Sequence, residues 1–341
     1  MKKSSPDSFD PQAKEDQLQN ESQSWDTSQI HLALADDIPV IDVAEYFTTG
    51  GETALETVAA QLRDVCMNVG FCSIIGHQFP QDLLTQAFTE ARRFFALPAD
   101  MKTTLLMDRP DWPVKAVGYL PVNNFKLPAR GKGNLNETFV VKRDHVVSLD
   151  DNQWPDEDLL PEFRANTDLY ATQIERLAKR LLPIYARALK LNKDYFTPAF
   201  TRPLYRLRMT HYPLMEQKAA DEYGIAPHVD TTFFTLLAQN SPGLVIYSEI
   251  RKCWIHAPVI DGAFIVNSGE LLKQWSNDLF VSVKHFANNN TGDEARYSIP
   301  FFFNANADFK MECLPTCCDA DNPPKYPAIS YLESQGVVQG E

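Results

Sequence analysis

Apolar residues follow two rhythms along the chain, and the change between them falls near residue 203. In residues 53–69, Leu55, Val58, Leu62, Val65, Cys66 and Val69 recur at helical spacing, and Gly70 supplies a stop. Residues 81–96 repeat that spacing with Leu84, Ala87, Phe88, Ala91 and Phe95, ahead of Pro98. Residues 163–190 carry the longest helical stripe, through Ile174, Leu177, Leu181, Tyr185 and Leu189, with Pro183 predicting a kink. Short apolar runs at 38–42, 71–75 and 137–142 predict strands. After Arg202-Pro203 the pattern turns to short β-rich runs, at 204–212, 231–238, 243–248, 252–259, 263–267, 280–286 and 295–304. Turn-forming residues such as Asn240-Ser241-Pro242-Gly243 and Asp261-Gly262 separate them. The expected fold class is α+β, mainly β: an antiparallel sandwich or barrel, such as a double-sheet jelly roll (double-stranded β-helix) with an open mouth, beside an N-terminal helical layer and a long supporting helix.

This pattern divides the chain. Residues 1–35 are rich in Ser, Gln, Asp and Glu and read as a disordered or loosely attached arm. Residues 36–150 form an N-terminal region, 151–201 a linker and the long helix, 202–307 the jelly-roll core, and 308–341 a C-terminal tail. Within the N-terminal region, residues 108–135 are punctuated by Pro and Gly and read as a long irregular connection. Trp112, Tyr119, Val122 and Phe125 inside it either line a substrate pocket or pack beneath the loop.

Composition narrows the function classes. The chain has 341 residues and a formal net charge of -13, which disfavours nucleic acid and an anionic membrane surface as partners. No apolar run approaches the roughly 18–20 residues that span a bilayer. The segment after Met1-Lys2-Lys3 is polar and lacks the apolar centre of a signal peptide, so a cytoplasmic location is the expectation. The six cysteines are then expected to be reduced, and Cys313, Cys317 and Cys318 lack the second knuckle of a structural zinc site.

The candidate chemistry lies between residues 226 and 304. His228 and Asp230 alternate about Val229 and so share one side of extended backbone. His285 ends the alternating run 280–286, and Arg296 and Ser298 repeat the two-residue spacing. Two imidazoles and one carboxylate suit non-haem iron(II) with open coordination positions. An arginine beside a serine hydroxyl suits the carboxylate of a small molecule. Alternation lets one of Phe301, Phe302 and Phe303 face the same cavity.

This order, His-x-Asp, a distant His, then Arg-x-Ser, resembles the isopenicillin-N-synthase-like branch of the iron(II)/2-oxoglutarate-dependent dioxygenases. Other segments are similar to that family too: Ile38-Pro39-Val40-Ile41-Asp42, Gly70-Phe71 through His77, Asn136-Glu137-Thr138-Phe139, His211-Tyr212-Pro213, Asn267-Ser268-Gly269 and Tyr326-Pro327-Ala328-Ile329. Thr210 stands where the family usually has Asn. The resemblance implies that His228, Asp230 and His285 hold Fe(II). It implies that Arg296 and Ser298, helped by Tyr212, grip the remote carboxylate of 2-oxoglutarate. Phe302, Phe125 and Phe233 or Phe234 would line the substrate pocket. The implied reaction consumes 2-oxoglutarate and O2, releases succinate and CO2, and oxidises a small, partly apolar metabolite. Hydroxylation is its default outcome; desaturation, ring closure and demethylation are others. Secondary metabolism or catabolism is the expected setting. Two rivals stand beside this reading: an iron oxidase of the isopenicillin N synthase type that does not use 2-oxoglutarate, and a non-catalytic jelly-roll binding protein. The sequence is silent on oligomeric state.

Overall fold

Two facing β-sheets hold the second half of the chain, and helices from the first half cover the outside of the larger one. The structure is a computed structural model that describes residues 27, 29–123, 133–143, 149–215, 222–288, 290 and 293–334. The first half contributes β1 (Ile30–Leu32), β2 (Val40–Asp42), α1 (Ala44–Thr49), α2 (Glu52–Asn68), β3 (Phe71–Ile75), α3 (Gln81–Phe95), α4 (Ala99–Thr103), β4 (Gly118–Leu120), β5 (Glu137–Arg143) and the long α5 (Phe163–Ala188). The second half contributes β6 (Leu204–Tyr212), β7 (Ile225–His228), β8 (Phe234–Gln239), β9 (Leu244–Ser248), β10 (Cys253–His256), β11 (Phe264–Ser268), α6 (Glu270–Trp275), β12 (His285–Ala287) and β13 (Arg296–Asn304), with α7 (Tyr331–Ser334) near the end.

The larger sheet runs β2-β3-β11-β8-β13-β6-β5-β4 and the smaller β1-β10-β9-β12-β7. Pairing in the core is antiparallel, and β6 sits between β5 and β13. Alternation on these strands separates two environments. Tyr205, Leu207 and Met209 of β6, with Ile299, Phe301 and Phe303 of β13, join one apolar core with Leu55, Leu62, Phe94, Ile174, Leu181 and Tyr185 of the helices. Of the intervening residues, Arg208, Tyr212, Arg296, Ser298, Pro300 and Phe302 line the space between the sheets. Helix α5 continues through Pro183 to Ala188, its apolar stripe buried along this outer layer.

Several expectations need correction. The run 280–286 is not one strand: the Val281 N–H is drawn to the Cys66 carbonyl at 2.8 Å, near the end of α2. Only His285–Ala287 joins the ladder. The irregular connection contains β4, an edge strand antiparallel to β5. Tyr119 on it is buried and donates its hydroxyl to Glu137 at 2.6 Å, on the helix-covered side. The arm expected over residues 1–35 lies mostly outside the described residues; of its described end, β1 pairs in parallel with β10.

Candidate active site

The two sheets open on a pocket of about 520 Å³, its mouth included. From the smaller sheet, β7 and β12 pair so that His228 and His285 are direct cross-strand partners. Their ring centroids lie 4.3 Å apart. Asp230 follows β7 by two residues, and its Oδ1 lies 3.6 Å from His228 Nε2 and 3.7 Å from His285 Nε2. One ligand atom from each of the three residues lies within 4.8 Å of the others.

Each of the three is aimed by a second contact. His228 Nδ1 donates to the Ala226 carbonyl at 2.9 Å, and His285 Nδ1 to the Val283 carbonyl at 3.0 Å. With the proton held on Nδ1, both Nε2 lone pairs face the shared space. Asp230 Oδ2 accepts from the Thr235 hydroxyl at 2.7 Å and from Asn267 Nδ2 at 2.8 Å, which leaves Oδ1 for a ligand. Burial pushes the His285 ring down to about 4, with His228 adding to the fall against Asp230, so it is neutral near pH 7. Burial would raise the Asp230 carboxyl, but His285, His228 and Asn267 hold it well below the usual carboxylate range. A donor set of two neutral imidazoles and one carboxylate, open toward a pocket, fits a divalent iron with free coordination positions.

The larger sheet supplies the facing wall. Arg296 on β13 stands opposite Tyr212 on β6, and Ser298 opposite Thr210. Arg296 is only 2% exposed. Its Nε donates to the Ser241 carbonyl at 3.3 Å, its Nη2 to Gln239 Oε1 at 3.2 Å, and its guanidinium lies 4.3 Å from the Tyr212 ring centroid. Nη1 has no partner. A buried guanidinium with an unmet donor beside the Ser298 hydroxyl, itself 3.3 Å from the Tyr212 hydroxyl, fits a carboxylate such as that of 2-oxoglutarate. Gly243 makes room for it: a Cβ there, at φ +149, would lie 2.5 Å from Arg296 Nε.

Phe302 lines the pocket, with Phe71, Leu237, Leu244 and Pro300 as apolar neighbours. Phe233 and Phe234 do not. Both are fully buried on the helix side, where Phe234 stacks on Tyr185 at 4.9 Å and Phe233 packs on Phe200, also at 4.9 Å. The chain bends at residues 232–233 before β8 begins, so simple alternation fails there. Trp112, Tyr119 and Val122 are likewise absent from the lining. Phe125 lies outside the described residues. Sequence reasoning assigned no role to Thr235, Gln239 or Arg208; Asn267 entered only through its motif. A polar residue on an otherwise apolar central strand was the available signal for Thr235 and Asn267.

Comparison with known proteins agrees with this geometry. Residues 38–157 match a family model described as the N-terminal region of non-haem dioxygenases in morphine synthesis, and residues 203–305 one described as the 2OG-Fe(II) oxygenase superfamily. The chain is 32% identical over 319 residues to the 2-oxoglutarate-Fe(II) type oxidoreductase hxnY of Emericella nidulans, covering 89% of this chain and 88% of that one. It is 32% identical over 290 residues to the azadirone synthase LFS of Melia azedarach, covering 80% and 84%. A full-length Neurospora crassa protein, solved in complex with alpha-KG, shares the jelly-roll fold at a TM-score of 0.78 and 24% identity, over 90% of this chain and 98% of that one. The chain belongs to the iron(II)/2-oxoglutarate-dependent dioxygenase family and is an oxidoreductase of that kind, with Fe(II) and 2-oxoglutarate as its cofactor and co-substrate.

Proposed function

We propose that this enzyme oxidises an unactivated C–H bond of a small, partly apolar metabolite, with hydroxylation as the default outcome, and that the residues divide the work as follows. His228, Asp230 and His285 hold the metal; Arg296 and Ser298, with Tyr212, hold the remote carboxylate of 2-oxoglutarate. The observation that carries this reading is the convergence of three ligand atoms within 4.8 Å on one wall, across the pocket from a buried arginine with an unmet donor. Bound iron(II) supplies dioxygen activation coupled to oxidative decarboxylation of the 2-oxo acid to succinate and CO2.

The protein's own part is orientation and exclusion of water. Thr235 and Asn267 fix which oxygen Asp230 presents. The carbonyls of Ala226 and Val283 fix the imidazole tautomers. Phe302, Phe71 and Leu237 offer an apolar wall against which a substrate carbon can be seated. Relatives whose names give 2-oxoglutarate as the co-substrate favour this over the oxidase that dispenses with it.

The test is iron-dependent oxygen uptake with a panel of small metabolites, with succinate measured alongside. Succinate formed in step with oxygen is the expected result. Substrate-dependent oxygen uptake without succinate would overturn the assignment and favour a reaction in which Arg296 and Ser298 hold the substrate's own carboxylate.

A further inference from the structure

A second arginine faces this pocket, and the division of labour above gives it no task. Arg208 lies on β6, four residues before Tyr212 on the same face, about 13 Å along the strand. It therefore stands well away from Arg296, which opposes Tyr212 in the register. Continuing that register places it across from Pro300, one pocket-facing position short of Phe302.

Arg208 is poorly satisfied. Among the described residues its one hydrogen bond is a long one, from Nη2 to Asn136 Oδ1 at 3.4 Å. Its Nε is sealed from solvent and has no partner. Among the described residues no carboxylate forms an ion pair with it, and the one carboxylate whose field reaches it is Asp230, which already faces the two histidines. Desolvation lowers its pKa, as it must for a cation withdrawn from water, yet a guanidinium remains charged. A buried charge without a counter-ion is a costly arrangement unless a ligand completes it.

Charge balance points to the kind of ligand. The charged side chains lining the pocket are Arg208, Arg296 and Asp230. Iron(II) and Arg296 together balance Asp230 and the 2-oxoglutarate dianion. Arg208 is then left as one uncompensated positive charge beside an aromatic wall.

We propose that Arg208 is the anchor for the primary substrate and that this substrate is a monoanion, a carboxylate carried on a flat apolar body. The two Nη groups at the far end of the guanidinium can grip two carboxylate oxygens side by side. Phe302, next along the face, meets the apolar body. Anchored there, the substrate's far end is directed toward the two histidines and Asp230. The proposal rests on the assignment of 2-oxoglutarate to Arg296.

The experiment uses the full chain loaded with manganese(II) in place of iron, so that no turnover intrudes. Calorimetry measures 2-oxoglutarate first, then benzoate and phenylacetate against benzamide and phenylacetamide, on the wild type, Arg208→Gln and Arg208→Lys. The acids are expected to bind the wild type at least about tenfold more tightly than their amides. Arg208→Gln should erase that preference, Arg208→Lys should keep part of it, and 2-oxoglutarate should bind all three proteins within about twofold. That last titration also shows that each variant is folded. Equal binding of acid and amide to the wild type, no binding of either acid, or a preference that survives Arg208→Gln overturns the proposal. So does a loss of 2-oxoglutarate affinity in Arg208→Gln as large as that in Arg296→Ala. Failure of the wild type to bind 2-oxoglutarate in a metal-dependent way removes the underlying assignment and the anchor together, a result distinct from any of these.

Discussion

Strands β5, β6 and β13 carry polar and charged groups on both faces, and the two faces treat them differently. On the helix-covered face, the Glu137 carboxylate accepts from Lys102 at 2.7 Å, from the Tyr119 hydroxyl at 2.6 Å and from His211 Nδ1 at 2.7 Å. Lys102 also donates to the Phe95 carbonyl at 3.0 Å, and the His211 ring stacks on Tyr297. Charge meets charge there, and every member of the cluster has a partner. On the pocket face, one residue away along each strand, Arg296 Nη1, Arg208 Nε and the hydroxyls of Thr210 and Thr138 have none. The first pattern is how a protein makes a buried polar cluster part of its stability. The second is how it leaves donors ready for something that is not protein. The same three strands therefore separate a structural network from a ligand site by side-chain alternation alone.

The comparison breaks most sharply at the metal side of the pocket. His228→Ala removes one of the three side chains proposed to hold the metal while leaving the sheet face otherwise intact. Turnover of 2-oxoglutarate should fall by more than about a thousandfold, equivalent to roughly 4 kcal/mol of barrier. Metal analysis of the purified variant should show iron lost. Turnover at the wild-type rate would sink the metal assignment.

Arg296→Ala should act differently. Iron content should be unchanged, while affinity for 2-oxoglutarate falls about 100-fold, near 3 kcal/mol, because the buried charge that meets its carboxylate is gone. Titration of 2-oxoglutarate against the metal-loaded protein checks this. A variant that binds 2-oxoglutarate normally but loses iron would exchange the roles assigned to the two walls.

How much of this contrast could be read from the chain follows from the physics of alternation. Period two on residues 204–212 and 295–304 predicts strands there, and it sets Arg296 and Ser298 on one face. The His-x-Asp spacing sets His228 and Asp230 on one side, and their side chains do meet, although Asp230 lies just beyond β7 rather than within it. What alternation could not give is pairing between strands. Arg208 reads as an ordinary polar residue until the register sets it beside Pro300 and Phe302. The grip of Thr235 and Asn267 on Asp230 needs β8 and β11 to be neighbours, which no local pattern states. Phe233 and Phe234 were misplaced because the backbone turns just before β8 and both rings fall under α5.

On the helix-covered face, Glu137→Gln should leave iron and 2-oxoglutarate binding intact and lower stability. Lys102 would stay buried without its counter-ion, at a cost of about 3 kcal/mol. The pH dependence gives a second handle. Burial raises the Glu137 carboxyl, but His211, Lys102 and Tyr119 outweigh it and hold the group below its ordinary 4.5. A depressed folded-state value means the stabilisation is fully present above about 4.5 and is lost as pH falls through the lower value. Urea unfolding of the wild type should therefore show stability dropping on acidification below 4.5. Glu137→Gln should remove that part of the slope. Equal slopes in the two proteins would deny the cluster its structural role.

The smallest effect tests whether unpaired donors on the pocket face all belong to the site. Thr138 pairs with Thr210 in the ladder, and Thr210 with Ser298, so three hydroxyl-bearing residues form a row across β5, β6 and β13. Thr138 stands at the far end of that row, fully buried and outside the pocket lining. Its hydroxyl gives up water and gains nothing in exchange. Thr138→Val keeps the branched shape and removes that hydroxyl. Stability should stay level or rise by up to about 1 kcal/mol. Affinity for 2-oxoglutarate should not change. A several-fold loss of that affinity would show that the row works as a unit and that the ligand site reaches one strand further across the sheet than its lining indicates.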